Sequence, residues 1–226
     1  GSGFSPVEYK TFGMSMEEAR ERYWESFDVI LKAWRQEEFS HKGKYYQIEN
    51  GSLYVKPVQK PMPPTWIAAS SDETLTKAGE LGFSIMAIPF ARSGNMLEVK
   101  DKIDLFTGSY FRAGHKENPD IIVALHVYLQ RSEEDAVKSA RPHYARVAEY
   151  LKTSRRPGAP VPDFDNIKRE KLALFTTPEN AVEILQEYAN IGVTHVISMV
   201  NFGGLPMADV RRTLELMSKE VFPKFR

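Results

Sequence analysis

Pro63-Pro64-Thr65-Trp66-Ile67-Ala68-Ala69-Ser70-Ser71-Asp72-Glu73-Thr74 runs from a proline-rich lead-in, through a short apolar run, into small hydroxyl residues that open a helical pattern. Proline removes backbone donors and restricts its neighbours, so residues 57–64 can continue neither a helix nor a central strand. Residues 65–69 then read as a strand and 74–81 as a helix, with Gly82 as its C-terminal stop. The start of a helix offers unpaired backbone N–H groups and the positive end of its dipole. Ser71 and Thr74 add hydroxyl donors there, a combination that favours a phosphate. Ser70 with Glu73 also reads as a capping box, which by itself only starts a helix.

The same alternation continues outward. Residues 84–89, 121–129 and 195–200 are further apolar runs, and 97–112, 133–152 and 178–191 carry helical periodicity, with Gly192 as a second stop. Strands alternating with helices indicate an α/β fold with a parallel sheet covered by helices. Pro142 is expected to kink or split its helix, and Thr176-Thr177-Pro178 reads as an ordinary helix start. Four strands are too few for a closed barrel, which needs about eight, and an open parallel sheet exposes an edge at each side.

On the N-terminal side, residues 16–36 place Ala19, Tyr23, Phe27, Ile30, Leu31 and Trp34 on one helical face, with Ser15 and Glu18 as a capping box. Residues 44–48 and 53–55 read as a hairpin turning at Glu49-Asn50-Gly51-Ser52, because Asn-Gly is a strong turn signal. The hairpin region, near 43–56, lies outside the main sheet. Residues 154–166 are too rich in proline and glycine for regular structure, and read either as a lid over a site or as a surface insertion.

Composition narrows the function. The 226 residues carry thirty Lys and Arg against thirty Asp and Glu, so no basic footprint points to nucleic acid or to an anionic membrane. A small molecule is the better partner. The absence of cysteine rules out disulfides and thiolate metal sites and fits a reducing compartment, the cytoplasm. No apolar stretch reaches the roughly 18 residues that span a bilayer, and no two histidines stand at metal-ligand spacing. His41 and His115 fall in expected loops, His143 in a helix, and His126 and His195 on strands. Each reads first as structural or merely exposed; His126, on a strand, is the one that could face a ligand, and alternation alone leaves its direction open. Asn201, Gly203 and Gly204 follow the last strand at the end where barrel sites form, and also read as a simple turn.

Several segments, in order, resemble one family. Gly1-Ser2-Gly3-Phe4-Ser5-Pro6-Val7-Glu8-Tyr9, then Phe12-Gly13 and Glu17-Glu18-Ala19-Arg20, resembles the stretch after the fourth barrel strand of luciferase-like flavin monooxygenases. Gly43-Lys44-Tyr45-Tyr46, Lys56-Pro57-Val58-Gln59-Lys60-Pro61 and the segment from Pro63 to Ser71 are similar to the approach to their fifth strand. Gly203-Gly204-Leu205-Pro206 and Glu220-Val221-Phe222-Pro223-Lys224-Phe225-Arg226 are similar to their closing segment. The resemblance implies a single incomplete domain over 1–226, a partial (β/α)8 TIM barrel holding roughly strands five to eight, with the first strands absent.

The resemblance also implies a ligand and a chemistry. Reduced flavin mononucleotide (FMN) is expected between Ser2, Gly3 and Phe4 on one side and Ser70, Ser71 and Thr74 on the other. Many relatives have an arginine where Ser2 stands, so here backbone N–H groups and hydroxyls are left to meet the phosphate. The implied reaction uses reduced flavin and O2 to oxygenate a small organic substrate, with a separate flavin reductase and a homodimeric assembly. The implied alternatives are hydride transfer with the deazaflavin F420, and a noncatalytic flavin-binding protein with a reduced barrel. The acid/base histidine of some relatives belongs to the barrel's first half, so no catalytic residue is assigned.

Overall fold

A computed structural model describes residues 1–154 and 161–225, and of Arg92 the backbone alone. The chain divides into two compact units, one built on Gly1–Thr65 and one on Trp66–Thr153 with the residues from 161 onward.

The first unit opens with helix α1, Pro6–Thr11, capped by the Ser5 hydroxyl and started by proline at a position that needs no N–H. Helix α2, Ala19–Arg35, begins later than its periodicity predicts. The Ser15 hydroxyl accepts the Glu17 N–H at 3.1 Å. That bond closes a local turn in place of the expected capping box with Glu18. Strands β1, Phe39–Lys42, and β2, Gln47–Gly51, pair antiparallel.

The hairpin therefore turns at 43–46, not at the expected Asn50-Gly51. Glu25 of α2 is the physical reason. Its carboxylate accepts backbone N–H bonds from Lys44 at 3.0 Å, Tyr45 at 2.9 Å and Tyr46 at 2.8 Å. Partial burial would raise its pKa, but the Tyr46, Tyr45 and Lys44 N–H groups and His41 outweigh that and hold it below the usual carboxylate range. Asn50 does take the left-handed conformation its type favours (φ 49°), within the irregular register between Phe39 and His41.

The second unit alternates strands and helices: β3 Trp66–Ala68, α3 Asp72–Glu80, β4 Ser84–Ala87, α4 Pro89–Arg92, α5 Met96–Arg112, β5 Ile121–Leu129, α6 Glu133–Ser154, α7 Phe164–Arg169, β6 Leu174–Thr176, α8 Pro178–Asn190, β7 His195–Met199 and α9 Met207–Leu216. A π-helical turn, Met217–Val221, and a 3-10 turn, Phe222–Phe225, complete it. All five strands are parallel. Strand β5 is the hub: Ile121–Val123 pairs with β4, Ile122–His126 with β7 and Val127–Leu129 with β6. All nine of its residues are buried. The sheet is open and no closed barrel forms among the described residues.

Three features depart from the expectations. Strand β6 is an additional strand; its run Leu172-Ala173-Leu174-Phe175 is almost wholly buried, yet too short to stand out between two helical patterns. Helix α7 forms inside the proline-rich segment because Asp163 caps it, accepting the Asn166 N–H at 3.0 Å. The remainder of that segment, 155–160, lies outside the described residues. Pro142 does not split α6. Pro142 is exposed, and on the solvent side of a helix a carbonyl that loses its N–H partner can be satisfied by water.

Helices α3 and α5 fix the geometry around β3. A Cβ at Gly79 would lie 2.8 Å from both the Phe106 carbonyl oxygen and the Tyr110 nitrogen, so α3 approaches the α5 backbone directly. Gly79→Ala gains helix propensity worth about 1 kcal/mol, but it meets backbone that cannot yield as a side chain would. A net loss of roughly 1–3 kcal/mol is expected, measured as a lower urea midpoint at unchanged slope. A variant as stable as the parent would contradict this close approach.

Candidate active site

Strand β3 delivers the candidate phosphate site. Ile67 and Ala69 are buried, the Ala69 N–H donates to the Met86 carbonyl at 2.9 Å, and the chain then leaves the sheet. Ser71, in extended conformation (φ −99°, ψ 147°), caps α3 and accepts the Thr74 N–H at 3.3 Å. The cap is thus Ser71, one residue beyond the Ser70 expected from the sequence. The Ser71 and Thr74 hydroxyls lie 2.9 Å apart. One of their two O–H groups serves that mutual bond, which leaves the other to donate outward. Asp72 and Glu73, in the same first turn, are exposed and oppose a second negative charge.

Ser70 is half-buried and lines a small, open apolar hollow together with Ala69, Ile85, Ala87, Val99 and Val123. Lys102 and Ser93 also line it, with Nζ and Oγ 3.4 Å apart. The other three expected residues belong to the first unit. The Ser2 carbonyl accepts the Tyr9 hydroxyl, Gly3 takes a left-handed φ of 78° over the Tyr9 ring, and Phe4 is exposed. A side chain at Gly3 would be strained there. Within the second unit the fold brings Ser71 and Thr74 together; within the first it gathers Ser2 and Gly3 on Tyr9.

The histidines separate sharply. His41 lies on β1, not in a loop, buried between Glu25 at 3.3 Å and Asp28 at 3.4 Å. His115 meets the Glu80 carbonyl at 3.0 Å, His143 the Gly203 carbonyl at 3.0 Å, and His195 the Thr194 hydroxyl at 2.9 Å. His126 is buried at 6% exposure with neither ring nitrogen hydrogen-bonded. Its ring packs 4.8 Å from Phe90, 4.8 Å from Phe202 and 5.7 Å from Tyr144, centroid to centroid. Sequence reading singled out His126 but not these rings, which come from elements far apart in the chain. Among the described residues no three His, Asp or Glu side chains gather as a metal site, and no helix is long and apolar enough to cross a membrane.

A parallel sheet whose strand end passes into a hydroxyl-capped helix is the arrangement with which α/β proteins receive phosphate-bearing ligands. Its class is thus an α/β protein in which the end of a parallel strand passes into a hydroxyl-capped helix. The model of the luciferase-like monooxygenase family matches residues 1–195, and the chain belongs to that family. Its members include flavin-dependent monooxygenases and F420-dependent oxidoreductases.

The chain is 25% identical, over 94% of its length, to the oxygenase component of the flavin-dependent trigonelline monooxygenase of Acinetobacter baylyi, of which it spans 62%. It is 27% identical, over its whole length, to the F420-dependent glucose-6-phosphate dehydrogenase of Amycolatopsis mediterranei, spanning 68% of that protein. Monooxygenase RslO1 from Streptomyces bottropensis has the same fold, with a TM-score of 0.87 and 23% identity over 99% of this chain and 67% of its own.

Burial depresses the pKa of His126 from 6.5 to about 4. In the unfolded chain the imidazole takes a proton near pH 6.5, while in the folded chain it stays neutral to about pH 4. The unfolded state therefore binds more protons across that window. Folding stability falls as pH drops from 6.5 towards 4, by roughly 3 kcal/mol in all, and this component is absent above pH 6.5. Urea unfolding at pH 7, 5.5 and 4.5 measures the slope, and His126→Phe should remove this part of it. An unchanged slope in the variant would place the acid sensitivity elsewhere.

Proposed function

We propose that the chain is the flavin-holding part of a flavin-dependent monooxygenase that uses reduced FMN and O2 to oxygenate a small organic substrate, its sheet forming a sector of a (β/α)8 barrel. The observation that carries this reading is the Ser71–Thr74 hydroxyl pair at the start of α3, beyond the end of β3. One outward O–H together with first-turn N–H groups that have no intrahelical partner fits the phosphate end of a flavin nucleotide. In this reading Ser70, Ser71 and Thr74 hold that end, and the family resemblance gives Ser2, Gly3 and Phe4 as flavin contacts too.

Reduced flavin, when bound, supplies the electrons for oxygenation, and the chain's work is to bind, orient and keep out water. Ser71 and Thr74 serve as neutral donors, so the affinity rests on hydrogen bonds and the helix dipole, with Asp72 and Glu73 limiting it. A separate reductase that delivers reduced flavin accords with the wording "oxygenase component" in the Acinetobacter relative's name. A homodimer and a cytoplasmic setting complete the reading. The deazaflavin F420 is the second cofactor reading, favoured by the match to the Amycolatopsis dehydrogenase.

The double substitution Ser71→Ala with Thr74→Ala should weaken FMN binding tenfold or more, roughly the worth of one to two charge-assisted hydrogen bonds. Anaerobic titration with reduced FMN, and in parallel with F420, reads the affinity; urea unfolding reads the loss of the cap, about 1 kcal/mol. Unchanged affinity at lower stability would reduce the segment to a helix cap. Preference for F420 over FMN in the parent would exchange the first cofactor reading for the second.

A further inference from the structure

His126 stands apart from every other polar side chain in the sheet. It occupies β5 opposite Met199 of β7, with its imidazole enclosed by Phe90, Tyr144 and Phe202. Phe90 follows β4 and Phe202 follows β7, so these two rings come from the carboxyl ends of the strands that pair on either part of β5. Sites in open parallel sheets are built at that end.

A buried donor and acceptor left without partners cost free energy that a Phe or Leu in the same place would not. All buried polar side chains without a partner among the described residues reduce to this one ring. The rings around it carry no charge, and a charged ligand would be desolvated there without a counter-ion. A neutral imidazole offers one N–H donor and one lone pair, which suits an oxygen that is itself uncharged.

Access is also legible. Phe90 sits in a helix and Tyr144 in the long α6, whereas Phe202 rides a loop followed by Gly203 and Gly204, both at positive φ (55° and 70°). Phe202 is the ring held by irregular backbone, anchored through the Gly203 carbonyl by His143 and Arg146 of α6, so access to the His126 nitrogens requires that this ring swing aside. Loops of this kind commonly complete a site only when the ligand arrives.

We propose that His126 is the residue that hydrogen-bonds the carbonyl or hydroxyl oxygen of a neutral organic substrate, admitted by movement of Phe202. That this ligand is a substrate rests on the oxygenase reading above; the binding itself does not.

The test uses the full chain labelled with 15N-histidine and three probes of similar size: acetophenone, ethylbenzene and benzoate. Acetophenone alone should shift the His126 imidazole signal, which is assigned by its loss in His126→Phe. That variant should unfold at a higher temperature, having shed the orphaned polar ring, yet bind acetophenone about tenfold more weakly, the worth of one buried hydrogen bond. His126→Gln, which keeps a donor and an acceptor, should recover most of the affinity. A stabilised His126→Phe that binds acetophenone as well as the parent would overturn the assignment. So would a parent in which no probe moves the signal, or in which ethylbenzene moves it equally. Reduced FMN titrated in parallel separates the two readings: FMN binding without an acetophenone response removes only this assignment, and the reverse removes only the oxygenase reading.

Discussion

A strand buried at every residue must have both faces covered and its backbone groups paired along its length, and β5 meets that demand with three different partners. Its start lies against β4, its middle against β7 and its end against β6. The order of the whole second unit follows from this. Segments that supply those partners return to β5 in parallel, and each return needs a crossover, which α5, α6 and α8 help provide. Alternation along β5 then divides the residues between faces, placing Ile122, Ala124, His126 and Tyr128 together.

The candidate site depends on the same arrangement. β3 is held to β4 and β4 to β5, so the point where Ser70 and Ser71 leave the sheet is fixed by pairings that begin in the hub strand. The close approach of α3 to α5 at Gly79 locks the direction in which the Ser71–Thr74 turn points. A cap made of two hydroxyls is electrically neutral, in contrast to an arginine, and reads the presence of acceptor oxygens more than the amount of charge.

Much of this was visible in the sequence because it is periodic. The runs at 65–69, 84–89, 121–129 and 195–200 and the glycine stops at 82 and 192 fall where local chemistry alone dictates them. What escaped was non-local. The hairpin moved because a carboxylate from α2 captures the turn; the Asn-Gly signal correctly marked a left-handed residue and misled only about its use. The strand at Leu174–Thr176 is three residues long and gains its identity from β5, so its own pattern was too brief to read. For the site, Ser71 and Thr74 were legible as hydroxyls at a helix start, whereas the aromatic enclosure of His126 gathers residues separated by tens of positions and left no mark in any single window.

The Glu25 turn has an evolutionary consequence. A hairpin shaped by its own glycines and asparagines can change only as those residues change, but here the shape is imposed on the backbone N–H groups of Lys44, Tyr45 and Tyr46 by a side chain 19 to 21 positions upstream. Because every residue except proline offers the same N–H, the turn itself asks nothing of the side chains at 44–46, which answer instead to Glu21 and Ser26 of α2. The burden of inheritance falls instead on Glu25, in the middle of a helix, and on Gly43, where any Cβ would collide with the Glu25 carboxylate.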